Sequence, residues 1–336
     1  MTDLGKVDRD FFAEQIRPRL GAEREDVRLG PTHGVDFGVL DVDGSALVVA
    51  TDPVSVLPAL GFERAGRFAL DIVLADVAVS GVPPSHLAIS FSLPPEMRDE
   101  EFGTLWNAIH EEARDLGASV VTGHTARYTG VSYPWVGGAT AMAVGDHDDV
   151  VRPDGARPGD DLVLTKGPAV ESVGLFATLF PDAIDLPPET VAAAQERLDE
   201  ASAVRDALAA AAAAPVTAMH DATEGGVHGA LNELATSAGV RLDVRREAIP
   251  VRPGVVETAE ALGFDPWTAT TSGSLLVTVD PAGTDDVLAA LEERDTPAAH
   301  VGSVSEGAGV YVDGDLVEPP AQDSSWAVYA ALAGDD

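Results

Sequence analysis

Five carboxylates stand where a solvated surface charge is not expected. Asp36 lies in Gly34-Val35-Asp36-Phe37, Asp52 follows the apolar run Leu47 to Ala50, Asp71 and Asp76 interrupt an apolar stretch, and Asp221 sits in a turn. With 56 Asp and Glu in 336 residues, an acid chosen at random is a surface charge. These five differ because an unpaired carboxylate on apolar or glycine-rich backbone is costly, so it finds a cation or a set of hydrogen bonds. Magnesium suits such a set, because the chain offers oxygen ligands and has no cysteine. Gly167, Gly174 and Glu224-Gly225-Gly226-Val227 add the complement of a phosphate site, where backbone N–H groups approach an anion closely at a helix start. Lys166, beside Gly167, is one of only two lysines and reads as a phosphate contact; the alternative is a plain surface residue. Neither the P-loop nor the G-x-G-x-x-G spacing is present. His220 and His228 flank the glycine turn, but not at the i, i+4 spacing of a zinc helix, and Thr271-Ser272-Gly273-Ser274 lacks the nucleophile elbow of serine hydrolases.

The elements that must position these groups follow from periodicity. Leu4, Val7, Phe11, Phe12 and Ile16 predict an amphipathic leading helix that ends before Pro18. Val35 to Leu40 and Ala46 to Ala50 form a hairpin about Asp41-Val42-Asp43-Gly44. Helices are expected over residues 64–80 and 99–117, with strands at His86 to Leu93, Ser119 to Thr122 and Gly138 to Val144. Gly123, His124 and Thr125 then follow directly on a strand. The Asp-rich segment Gly145 to Asp161 marks a boundary between domains of residues 1–148 and 149–336. Beyond it come a strand at Asp161 to Thr165, one long helix over Pro188 to Ala214, and the glycine turn feeding a helix at Val227 to Ala238. The rest is a strand at Ser274 to Val279, a helix at Thr284 to Arg294, and strands near His300 to Val304 and Gly309 to Val312. The fold class is α+β in two domains.

The formal net charge of −35 repels a nucleic-acid backbone and an anionic membrane face alike, since both bind through clustered cations. Self-repulsion of this size is screened when the Debye length falls to about 3 Å in roughly 1 M salt, which points to a high-salt cytoplasm. The absence of cysteine removes disulfides, thiolate metal sites and thiol nucleophiles. Met-Thr-Asp-Leu-Gly-Lys has no signal-peptide character, and Ala207 to Ala214 is far shorter than the roughly 20 residues of a membrane span. A soluble, cytoplasmic protein is expected.

The order of motifs carries a resemblance. Gly30-Pro31 to Val39, Thr51-Asp52-Pro53, Ala75-Asp76-Val77-Ala78 with Gly81-Val82-Pro83, and Val121-Thr122-Gly123-His124-Thr125 come first. They are followed by Pro158-Gly159-Asp160-Asp161 with Thr165-Lys166-Gly167, and by Asp221-Ala222-Thr223-Glu224-Gly225-Gly226 with Leu231-Asn232-Glu233-Leu234. Together they resemble the superfamily of aminoimidazole ribonucleotide (AIR) synthase, thiamine-monophosphate kinase, selenophosphate synthetase and HypE, over roughly residues 28–318. The Asp221 segment is most similar to HypE, of an archaeal type.

The resemblance implies a dimerising N-terminal α/β domain whose strands build a barrel-like sheet with a second copy, followed by an α+β domain. ATP and magnesium would serve the phosphorylation of an oxygen on a small-molecule substrate. By position, Asp36, Asp52 and Asp76 match magnesium and nucleotide-phosphate carboxylates, with Gly123, Thr125, Lys166, Gly167, Gly225 and Gly226 around the nucleotide. Asp76, His124 and Asp221 are then the residues at the reacting groups. Three departures stand out. Val35 replaces one carboxylate of the usual Gly-Asp-Asp pattern, and His124 replaces an acid, so that it would donate to a phosphate or substrate oxygen unless backbone satisfies it in a tight turn. The cysteine that carries the carbamoyl group in HypE is missing, which argues against hydrogenase cyanide-ligand synthesis. The other readings are a catalytically weakened nucleotide-binding regulatory module and thiamine-monophosphate kinase proper.

Overall fold

The computed structural model describes residues 5–7 and 9–334, in two compact units. One unit comprises Arg24–Gly30 and Asp36–Val150; the other takes the chain up to Glu23, Pro31–Val35 and everything from Val151. The break thus falls two residues from the expected boundary, and the early segments group with the C-terminal unit. Leu4 of the expected leading helix lies outside the described residues. The remainder is a single α turn (α1, Arg9–Phe11), a π turn (Phe12–Ile16) and a 3-10 turn (Arg17–Arg19) that runs through Pro18. None of these turns buries a residue, so no packed face holds the segment in one regular helix.

The unit around residues 36–150 is one mixed sheet in the order β1-β2-β3-β6-β4-β5: β1 (Val27–Leu29), β2 (Gly38–Val42), β3 (Ser45–Ser55), β4 (Pro84–Leu93), β5 (Ser119–Arg127) and β6 (Trp135–Gly145). The hairpin of β2 and β3 closes on Asp43-Gly44, both at positive φ, which matches the twist of the strands. Helices α2 (Phe62–Ala78) and α3 (Asp99–Asp115) pack together, and α2 lies on β3 and β6. Alternation along β3 buries Ala46, Val48 and Ala50. In a single chain the sheet is open, with β1 and β5 at its edges. β5 runs through Gly123, His124 and Thr125, so these residues belong to an edge strand and not to the turn after one. Gly123 is required there: a Cβ would come within 2.3 Å of the Ile89 carbonyl oxygen on β4, its parallel partner.

The other unit centres on a seven-stranded sheet ordered β13-β12-β9-β11-β7-β10-β8. Its strands are β7 (Asp161–Thr165), β8 (Val216–Asp221), β9 (Arg241–Val244), β10 (Leu275–Val279), β11 (Ala298–Ser305), β12 (Gly309–Val312) and β13 (Asp315–Val317). Helices α4 (Val170–Leu179), α5 (Pro188–Gln195), α6 (Val204–Ala213), α7 (Gly226–Ala238), α8 (Val255–Leu262), α9 (Thr284–Glu292) and α10 (Ser324–Ala333) complete it. Leu231 and Leu234 of α7 pack on Leu164, Leu242 and Leu276 of the sheet. The long helix expected over 188–214 is broken into α5, a 3-10 turn at Glu196–Glu200, and α6. The backbone of Arg197 and Leu198 closes on Gly174 of α4, where a Cβ would meet Leu198 N at 2.4 Å. Packing there outweighs alanine's helix propensity.

Candidate functional site

In the C-terminal unit, β8 delivers His220 and Asp221 to its end, both buried, with β10 paired alongside. His220 is 1% exposed, and its Nε2 lies 2.9 Å from Glu233 Oε2 on α7. Burial alone would raise the Glu233 carboxyl. The hydrogen bond and charge of His220, followed by Lys6 and His33, outweigh it and bring the group down to about 2.

After Asp221 the chain turns through Thr223–Gly226 into α7. Gly226 sits at φ +62°, and a Cβ there would fall 2.6 Å from the Ala269 carbonyl, so this turn admits only glycine. The Gly225 and Gly226 amides, expected to face a phosphate, are engaged within the chain: Gly225 N–H donates to Asp323 Oδ2 (2.9 Å) and Gly226 N–H to the Thr223 carbonyl (3.1 Å).

Lys166 corrects an expectation. It is neither a surface residue nor open to a phosphate. Its buried ammonium lies 2.8 Å from Asp206 Oδ2 and donates to the carbonyls of Ser202 (2.6 Å) and Gly273 (3.1 Å), which uses all three protons. Asp206 Oδ1 also accepts from Arg294 Nε and Thr296 Oγ1. Burial pushes Asp206 up, but the Lys166 charge and these hydrogen bonds hold it below the ordinary carboxylate range. Gly167 donates its amide to the Thr165 carbonyl. Nearby, Glu171 on the first turn of α4 is buried, which raises its carboxyl, against the opposing hydrogen bond from Ser272 N–H.

In the other unit, Asp36 precedes β2, and Asp52 stands inside β3, not after it. The register Gly38↔Val49 brings Asp36 and Asp52 to the same open end of the hairpin. Asp76, half-buried like them, is on α2, which packs against β3. His124 is exposed on β5; its Nε2 is 3.0 Å from the Tyr128 hydroxyl, and the two rings stack. Its partner is therefore a side chain and not turn backbone. These donors are all oxygens apart from His124, a set that fits magnesium.

Residues 34–145 match the N-terminal domain of AIR synthase related protein, and residues 157–315 match its C-terminal domain. The chain belongs to the AIR synthase-related family. It is 30% identical over 265 residues to carbamoyl dehydratase HypE of Rhizobium leguminosarum bv. viciae, covering 77% of this chain and 73% of that protein. It is 28% identical over 323 residues to the Escherichia coli protein of the same name, covering 90% and 88%. In structure, E. coli HypE aligns with a TM-score of 0.72 at 24% identity over 95% of this chain and 97% of that one. AaThiL complexed with AMPPCP and TMP aligns at 0.67 and 22% identity, over 86% and 91%. The two-domain α+β fold of this AIR synthase-related protein is thereby shared with both.

Sequence reasoning named Glu233 only as part of a motif and missed Glu171, Asp206 and Asp323. The available signal was an acid in otherwise apolar surroundings, as in Ala169-Val170-Glu171-Ser172-Val173, the same signal that selected Asp36 and Asp76.

Proposed function

We propose that this AIR synthase-related protein is an ATP- and magnesium-dependent enzyme that phosphorylates an oxygen of a small molecule: the acceptor oxygen bonds to the γ-phosphorus, the bond to the β–γ bridging oxygen breaks, and ADP leaves. The observation that carries this reading is the match of both domains to one family, among whose structural neighbours are AaThiL complexed with AMPPCP and TMP and a HypE in complex with ATP. Asp36, Asp52 and Asp76 would hold magnesium, which when bound neutralises charge on the phosphates. His124, with its Nε2 set by Tyr128, would donate to a phosphate or substrate oxygen, and Asp221 would face the reacting groups.

A second copy would complete the sheet. β5 is an exposed edge carrying Val120 and Val121, the latter 55% exposed, and an uncovered nine-residue edge is a pairing surface. No described helix is long and apolar enough to cross a membrane. The net charge of −35 is what supports a high-salt setting. The internal engagement of the Gly225 and Gly226 amides favours a second reading, a regulatory module that binds nucleotide without turning it over. ATP binding and ADP release, measured with and without magnesium in about 2 M salt, separate the two. Asp76→Asn is expected to weaken magnesium-dependent ATP binding by about 1–3 kcal/mol; unchanged affinity would remove Asp76 from the site.

A further inference from the structure

Two segments remote in sequence close on the Thr223–Gly226 turn of the C-terminal unit. On one side, Lys6 donates its backbone N–H to Glu224 Oε2 at 2.7 Å and its ammonium to Thr223 Oγ1 at 3.1 Å. On the other side stands Asp323, immediately before α10. Its Oδ2 accepts from Gly225 N–H at 2.9 Å and from Thr270 Oγ1 at 2.7 Å, while Oδ1 accepts from Ser325 N–H at 2.8 Å and from Ser325 Oγ at 2.5 Å. One carboxylate thus caps α10 and is the anion seated on the turn that opens α7. Val328, Tyr329 and Leu332 hold α10 itself against the α4 cluster, and Ser324 N–H donates to the Thr268 carbonyl. Asp323 and Glu224 both lie close enough to the buried Glu171 for their charges to raise its carboxyl. A further negative group cannot share the Gly225 amide with Asp323, because in a partly buried site like charges repel strongly.

We propose that Asp323 is an autoinhibitory carboxylate, occupying at the Gly225 amide the place that an anionic group of the ligand takes once Asp323 is displaced with the first turn of α10. The proposal rests on the reading of Gly225 and Gly226 as nucleotide-phosphate contacts. It makes the docking of α10 and the binding of a phosphate-bearing ligand mutually exclusive at one hydrogen-bond donor.

The test titrates magnesium-ATP into the parent, Asp323→Asn and Asp323→Ser by calorimetry in about 2 M KCl. Asn and Ser both serve as helix N-caps and keep a neutral acceptor, and a melting curve confirms that each variant is folded. The expected result is roughly 5–10-fold tighter ATP binding by both variants, the scale of one charge-assisted contact. In the parent, saturating ATP should also speed hydrogen exchange at the Ser325 amide. Equal or weaker binding by the folded variants overturns the competition and leaves the nucleotide reading standing. Binding by the variants alone supports both, and binding by no chain overturns the nucleotide reading and the competition with it.

Discussion

Glu233→Gln removes the carboxylate that touches the buried imidazole of His220 while keeping the side chain's shape. Glu233 is held at about 2 against an ordinary 4.5, which at about 1.4 kcal/mol per pH unit stabilises the folded chain by about 3 kcal/mol when both states are ionised. The sign follows from the depressed folded value. The contribution is complete above the unfolded value of 4.5, and it is lost as pH falls through the folded value of about 2. Urea unfolding of parent and variant at fixed high salt reads the difference directly, and surface carboxylates that titrate in both chains cancel. The expected gap is about 3 kcal/mol near pH 7 and about 1 kcal/mol near pH 3. Salt will narrow it little, since Glu233 is 19% exposed and His220 1%. A gap below about 1 kcal/mol near pH 7, or one that does not change down to pH 3, would refute the assignment of His220 as the group that holds Glu233 ionised.

Asp206→Asn leaves the Lys166 ammonium buried beside a neutral group and should destabilise the protein by about 3–5 kcal/mol in urea unfolding, the range for breaking a buried pair from one side. Glu171→Gln should act oppositely. The folded carboxyl is raised above 4.5 by burial, so its ionisation costs the folded chain increasingly as pH rises past that value; the variant should melt about 2–4 °C higher near pH 7 and at the parent's temperature near pH 4. Val121→Glu places a charge on the exposed edge strand, and sedimentation in folding salt should then change from a two-chain to a one-chain particle.

The elements legible in the sequence were those whose own residues carry the period. The β2–β3 hairpin was found because alternation on both arms and Asp43-Gly44 between them agree, and α7 because its apolar stripe starts at a glycine turn. What escaped was set by distant partners. β5 continues past Thr122 because parallel pairing with β4 supplies backbone hydrogen bonds whatever the side chains, and an exposed edge tolerates His124 and Thr125. The helix break before Val204 serves packing on Gly174. Of the candidate residues, Asp221 is buried, but it ends strand β8 and does not lie in the turn expected for it, while Lys166 was misread: its partner Asp206 is 40 residues away in an alanine-rich helix that offers no pattern. A carboxylate in apolar surroundings signals only that it must be satisfied, not whether by a ligand or by the fold.

The placement of the few cations also bears on how such a chain can bind ATP. Its 21 basic residues face 56 acids, and several of the least exposed cations are engaged by the fold. Lys166 and Arg294 converge on Asp206, while Arg197 and Arg252 converge on Glu200. Cations used in this way neutralise buried carboxylates that would otherwise each cost several kcal/mol, and they do not remain to receive a triphosphate. In the function proposed above, much of the positive charge opposite the phosphates would come with the ligand, as magnesium. In that reading, Asp36, Asp52 and Asp76 would then serve ATP through the ion, and ATP binding is expected to need magnesium.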